Sequence, residues 1–312
     1  MQALWMALGA LFFSIMGVCI KLASPFYGTM EILFYRGFTG IIIFSVLMRL
    51  QNVPCATPVL GLHVKRSLSG VTAMALWFYG IAHLPFASAM VLNNMSSVWL
   101  GTIVIGLGWW HSGRILYPKL MCAVLVGFAG VVLLLNPRLG SFAGQQAAYL
   151  PYLPGLLGLC SGFLAAIAYM QVQALGLAGE PEQRTVFYVS IGTSLLGLAG
   201  TFLLHGGFTM PDWRTVWLLP AVGLFASLGQ WCLTRAYTRG AALVVASLQY
   251  LGLAFSSLFG VFLFREQLAW TGWLGIALIV MAGIAATAWR PKSIKPVITP
   301  QPAPVSSCNP QP

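Results

Sequence analysis

Charged side chains are what this sequence has least of. They make up 7% of its 312 residues, and only 5 are acidic against 16 basic. A water-soluble chain of this length is normally about a quarter charged. With a hydrophobic fraction of 59% and a mean hydropathy of +0.86, there are too few polar groups to cover a water-facing surface. Lipid is therefore the expected solvent. The acidic shortage also works against a membrane-embedded enzyme, which would need paired carboxylates, a nucleophile with its base, or metal ligands. Four scattered histidines do not supply them. No His-Glu-x-x-His, Gly-x-Ser-x-Gly, P-loop or dinucleotide motif occurs, so neither a cofactor nor a metal is expected. A membrane enzyme remains the alternative to a carrier, and a channel would lack a recognisable filter.

Paired cysteine spacing is also missing. Cys19, Cys55, Cys122, Cys160, Cys232 and Cys308 suggest no disulfide framework, and most sit in apolar runs, where cysteine acts as a small hydrophobe. The N-terminus lacks a basic leader segment, and its apolar run of 20 residues reads as a retained first helix. The net charge of +11 raises nucleic-acid binding, but the basic residues form no stripe and no recognised motif. No nucleic-acid partner is expected.

What the chain does have is a succession of uncharged stretches. About 20 apolar residues span a bilayer as a helix, which satisfies its own backbone. Ten spans follow, at roughly 2–23, 28–48, 66–84, 86–110, 116–135, 153–175, 184–204, 215–237, 241–264 and 268–289. Residues 136–152 read as a linker and 290–312, with seven prolines, as a disordered tail. With the N-terminus inside, cytoplasmic segments hold Arg49, Lys65, Arg66, Arg114, Lys119, Arg184, Arg235, Arg239, Arg290, Lys292 and Lys295. Outer segments hold Arg138, Arg214 and Arg265. Eleven against three follows the positive-inside rule, placing both termini in the cytoplasm of a bacterial inner-membrane protein.

The turn at 81–87 and the turn at 236–242, 155 residues later, each open into an apolar helix that ends in a short polar break. Two halves of five helices result, and because five is odd the second half enters the membrane inverted. The fold class is an all-α polytopic membrane protein with ten helices as a 5+5 inverted-topology repeat. Its first repeat is 1–135 and its second 153–289. In that plan solute sites lie near the midplane between halves.

Three segments carry a family resemblance: Glu31-Ile-Leu-Phe34-Tyr-Arg36, the Ala-His-Leu-Pro-Phe-Ala turn at 82–87, and Leu-Phe-Arg265-Glu266-Gln267-Leu268 followed by Gly275 and Gly283. Together they resemble the EamA family of the drug/metabolite transporter superfamily. The resemblance implies the ten-helix fold, cytoplasmic termini and transport of small metabolites such as amino acids or related compounds. Where many members end helix four in Gly-Glu or Arg-Glu, this chain has Trp110-His111. The first-helix carboxylate of the related small multidrug exporters has no counterpart in helix one or six, so its proton coupling does not carry over.

Polar groups at membrane depth are the candidate solute contacts. Arg36 lies about eight residues into helix two, and Glu31 is about 140° around the same helix. With Lys21, Arg36 could present positive charge to an anionic solute; alternatively Lys21, Glu31 and Arg36 close an ion-pair set between helices one and two. Asn93 and Asn94 in helix four, and Gln249 and Tyr250 in helix nine, sit at equivalent depth, Asn94 matching Gln249 on the 155-residue offset. They could bond a solute or each other across the halves. Trp77 and Trp231 could stack on a planar or cationic solute or simply fill space. The expected cavity is lined by helices one, three, four, six, eight and nine. The expected partners are a small-molecule solute and membrane lipid, for a chain acting as a monomer or homodimer.

Overall fold

A computed structural model describes residues 2–83, 92–103, 118–135, 153–210, 213–239, 242–264 and 270–288. The linker, the tail, the turn before helix four, the Trp110-His111 pair and the Arg265–Leu268 motif lie outside them. Among the described residues the regular secondary structure is all helical, without strands, and the helices are joined by short turns and loops. The elements are α1 (Gln2–Ala23), α2 (Thr29–Leu50), α3 (Leu60–His83), α4 (92–103), α5 (Pro118–Leu135), α6 (Leu153–Leu177), α7 (Glu182–His205), α8 (Leu218–Arg239), α9 (Ala242–Gln249), α10 (Leu251–Phe264) and α11 (Trp270–Ala288).

Two boundaries differ from the sequence reading. First, α3 starts at Leu60 rather than near residue 66. Pro58 suits the first turn of a helix, and Thr57 Oγ1 accepts the Val59 amide at 3.2 Å. His63, Lys65 and the residues back to Leu60 are thus helical, although hydropathy alone leaves them out. Second, the ninth span is not one helix but two, broken at Tyr250. The Ser14 hydroxyl of α1 lies 2.8 Å from the Gly252 carbonyl beside the break and 2.8 Å from the Ala10 carbonyl. Backbone that leaves the regular ladder at membrane depth needs such a partner.

The helices are arranged inside-out relative to a soluble bundle. Phe38, Ile42 and Val46 form an exposed stripe along α2, and Leu195, Phe202 and Leu203 do so along α7. Polar residues such as Arg36, Arg66, Asn94, Gln230 and Gln249 are buried. Lipid is the solvent that makes this distribution favourable. Among the described residues, five helices or helix pairs are long and apolar enough to span a membrane by composition alone: α1, α2, α6, α7 and the α9–α10 pair. By contrast, α3 and α8 carry more polar residues because they wall the interior described below.

The packing shows how the two halves relate. The most extensive contacts are α2 with α7, α1 with α8, α5 with α11 and α3 with α6. With α9 and α10 counted as one span, these are the second helices of each half together and the fifth helices together. The first helix of either half packs on the third helix of the other. That exchange is what a two-fold relation between inverted halves requires. Glycines permit the closest crossing: Gly37 of α2 abuts the Ser190 and Ser194 backbone of α7, and Gly197 of α7 abuts the Met30 and Phe34 backbone of α2. Small residues at such crossings let backbones approach within the membrane.

Candidate functional site

Where the halves meet, the helices leave a central cavity with ≈ 90 Å³ of room for the centres of water molecules, space for several waters. It is walled by α1, α2, α3, α4, α6, α8 and the α9–α10 break. Relative to the expected lining, α2 is added, through Arg36.

Two of the lining side chains are cationic. Arg36 enters from α2, about 10 Å along the helix from one end. Arg66 enters from α3, about 9 Å from the opposite end. Both are buried, at 5% and 2% exposure. The Arg66 guanidinium lies over Gly70, one turn deeper in the same helix, where a Cβ would collide with its Nη1. Trp77, Met74 and Phe13 supply apolar wall, while Asn93, Asn94, Gln230 and Gln249 supply amides.

Gln249 is held by a fixed network. Its Nε2 donates to the Tyr169 hydroxyl at 2.9 Å, and its Oε1 accepts from Tyr237 at 3.3 Å. The rings of Tyr169 and Tyr237 stack at 5.0 Å. This binds α6, α8 and α9 into one polar wall.

Of the residues singled out from sequence, Arg36, Trp77, Asn93, Asn94 and Gln249 line the cavity. The other four do not. Lys21 sits in the last turn of α1 beyond the cavity. Glu31 accepts bonds from the Thr209 hydroxyl (2.6 Å) and amide (3.3 Å), so its carboxylate is committed to the loop after α7. Of the two readings of Lys21, Glu31 and Arg36, the closed ion-pair set does not occur among the described residues. The 140° between Glu31 and Arg36 turns them to different neighbours. Tyr250, fully buried, faces Gly127 of α5. Trp231 turns instead to an apolar groove with Phe44 and Leu47, with its ring 6.2 Å from Trp5. Arg66 was missed because it follows Lys65 and reads as a loop charge. Gly70 four residues on, at a one-turn spacing, is the signal that could have placed it inside.

Two clasps close the ends of the molecule, each joining a loop of one half to the other half. At one end Glu180, between α6 and α7, accepts from Thr57 Oγ1 (2.7 Å), His63 Nε2 (3.2 Å) and Arg184 Nη1 (2.9 Å). Arg184 Nε also donates to the Pro54 carbonyl at 2.9 Å, and Tyr188 donates to the Cys55 carbonyl at 3.0 Å. At the other end, Glu31 meets Thr209 as above, and Tyr27 and Thr215 share a hydrogen bond of 3.0 Å.

Burial pushes the Glu180 carboxyl pKa up, but the bonds from Thr57, His63 and Arg184 and the Arg184 charge outweigh it. The pKa sits below its ordinary 4.5. A depressed carboxyl pKa gives stability that is present above 4.5 and disappears as pH falls through the lower folded value. The melting temperature in detergent should accordingly separate the wild type from Glu180→Gln at neutral pH, with the two converging well below pH 4.5. A gap that persists unchanged in acid would contradict this.

Taken together, the fold and its central cavity define a polytopic membrane transporter of small metabolites. The chain belongs to the EamA-like transporter family, which it matches over residues 1–136 and 153–288. It is 28% identical over 277 residues to the pseudopaline exporter CntI of Pseudomonas aeruginosa, covering 88% of this chain and 91% of that one. It is 26% identical over 296 residues to a riboflavin transporter of Vibrio cholerae, covering 93% and 94%. A match of 23% over 253 residues, 78% and 79% of the two chains, links it to an S-adenosylmethionine uptake transporter of Rickettsia bellii. One solved crystal structure shares the fold with a TM-score of 0.72 at 18% identity, over 92% of this chain and 97% of that one.

Proposed function

We propose that this chain carries a small organic metabolite, amino-acid-like or otherwise, across the bacterial inner membrane by alternating access. The observation that carries the reading is a buried polar cavity on the seam between halves, with a clasp at each end. Releasing one clasp at a time would expose the cavity to one side and then the other. The relatives named for pseudopaline, riboflavin and S-adenosylmethionine support an organic solute.

Both termini are assigned to the cytoplasm. Arg66 faces the cavity rather than a loop, so the basic count becomes ten inside against three outside, and the bias survives. On that assignment the Glu180 clasp faces the cytoplasm and the Glu31 clasp faces outward. Residues 1–135 and 153–289 form the two repeats, joined by the 136–152 linker and followed by the 290–312 tail, in a monomer or homodimer. The drive is secondary-active or facilitative, with no resident cofactor.

Comparative metabolite profiling of cells with and without the gene, followed by flux measurements in vesicles containing the purified chain, tests the proposal. A solute whose cellular level changes and which crosses only protein-containing vesicles supports it. Vesicles that fail to move every solute so identified would refute it.

A further inference from the structure

We infer that the central cavity is built for an anionic organic solute, one bearing carboxylate or phosphate groups, held between the guanidinium groups of Arg36 and Arg66. The inference rests on the carrier reading only in taking this cavity as the solute site.

Two buried cations share one cavity and repel each other. Among the described residues neither has a carboxylate within ion-pair distance. The three described acids are committed elsewhere: Glu31 to Thr209, Glu180 to Thr57, His63 and Arg184, and Glu182 to Arg235 and Arg239. Asp212 and Glu266 fall outside the described residues. Buried charges in proteins are normally paired, so two cations that line one cavity without a carboxylate among the described residues call for a counter-ion supplied from outside.

Hydrogen-bonding capacity agrees. Arg36 Nε, Arg66 Nε, Arg66 Nη1 and Trp77 Nε1 are buried without a partner. All four atoms are donors that cannot accept. A cation or a donor-rich solute would leave them unsatisfied, whereas carboxylate or phosphate oxygens satisfy them and match the planar guanidinium fork. The Arg66 conformation is the third observation. A long cationic side chain near a helix end ordinarily snorkels toward the nearer water face. Arg66 instead folds over Gly70, toward the membrane interior, and the missing Cβ at Gly70 makes the space. Trp77, Phe13 and Met74 then give the solute an apolar or ring-bearing body.

The test uses the full chain in detergent and five probes on the same ring: phthalate, phenyl phosphate, benzoate, benzamide and benzylammonium, at constant ionic strength in chloride. Thermal unfolding should shift upward with the two dianions most, with benzoate less, and not with benzamide or benzylammonium. The larger shift of phthalate or of phenyl phosphate tells carboxylate from phosphate preference. Arg36→Gln and Arg66→Gln should each unfold no lower than the wild type without a probe, since each removes a repulsive buried charge. Each should need at least tenfold more dianion for the same shift. A wild type that ignores all three anions, or responds as well to benzamide or benzylammonium, overturns the inference whatever the variants do. Variants that keep the full response also overturn it. Vesicles that carry a neutral or cationic metabolite overturn it while leaving the carrier reading standing. Anion binding without any flux defeats the carrier reading alone.

Discussion

Glu180→Gln should open one end of the cavity to water. The reporter is Ala73→Cys, a cavity-wall position 4% exposed, in a background without the native cysteines. Its labelling by a membrane-impermeant thiol reagent should accelerate by about tenfold from the Glu180 face. The reason is the partner the mutation strands. Arg184 is 7% exposed and its Nη1 bonds Glu180 Oε2. Removing one member of a buried ion pair costs about 3–5 kcal/mol, because the other charge stays buried and uncompensated. The clasp is the contact that collects this cost, since Glu180 joins the loop of one half to Thr57 and His63 of the other. Every tenfold in labelling requires about 1.4 kcal/mol, so a fraction of the lost interaction suffices. An unchanged labelling rate would mean that the Glu180 cluster is not a gate.

The second large effect lies in the framework rather than the gate. Gly197→Val should destabilise the chain by about 3 kcal/mol. A side chain there meets the amide nitrogen and Cα of Phe34 and the Met30 carbonyl, all backbone of α2, so no flexible neighbour can swing aside. The control is Gly155→Ala, where a Cβ meets nothing within 4 Å; it should stay within about 0.5 kcal/mol of wild type. Thermal unfolding in detergent and yield from membranes measure both. Equal behaviour of the two variants would show that the α2–α7 crossing is looser than the structure has it.

The large elements were legible in the sequence because membrane solvation imposes a coarse rule on it. A span must be long and apolar, and the described helices fall close to the ten expected segments. Deep polar residues were legible for the same reason: Arg36, Asn93, Asn94 and Gln249 stand out against apolar neighbours, and all four line the cavity. What stayed hidden depended on direction and on distant contacts. Trp77 and Trp231 look alike in sequence, yet one lines the cavity and the other turns to a separate apolar groove. Arg66 was concealed by Lys65, since two adjacent cations at the edge of a span resemble a loop. The break at Tyr250 has no proline to announce it. Glu180 and Thr57 are 123 positions apart, and nothing local to either predicts their bond.

The unequal chemistry of the two clasps has a consequence for how the protein rests. Among the described residues, three donors, one of them the buried Arg184 guanidinium, hold the Glu180 side, while the Thr209 hydroxyl and amide on Glu31 and the Tyr27–Thr215 hydroxyl pair hold the other. If each conformer is weighted by whichever fastening it must undo, the unloaded molecule spends most of its time ajar at the Glu31 mouth. The solute would then meet a doorway already facing one compartment, and the turnover step left to it is prising apart the tighter side.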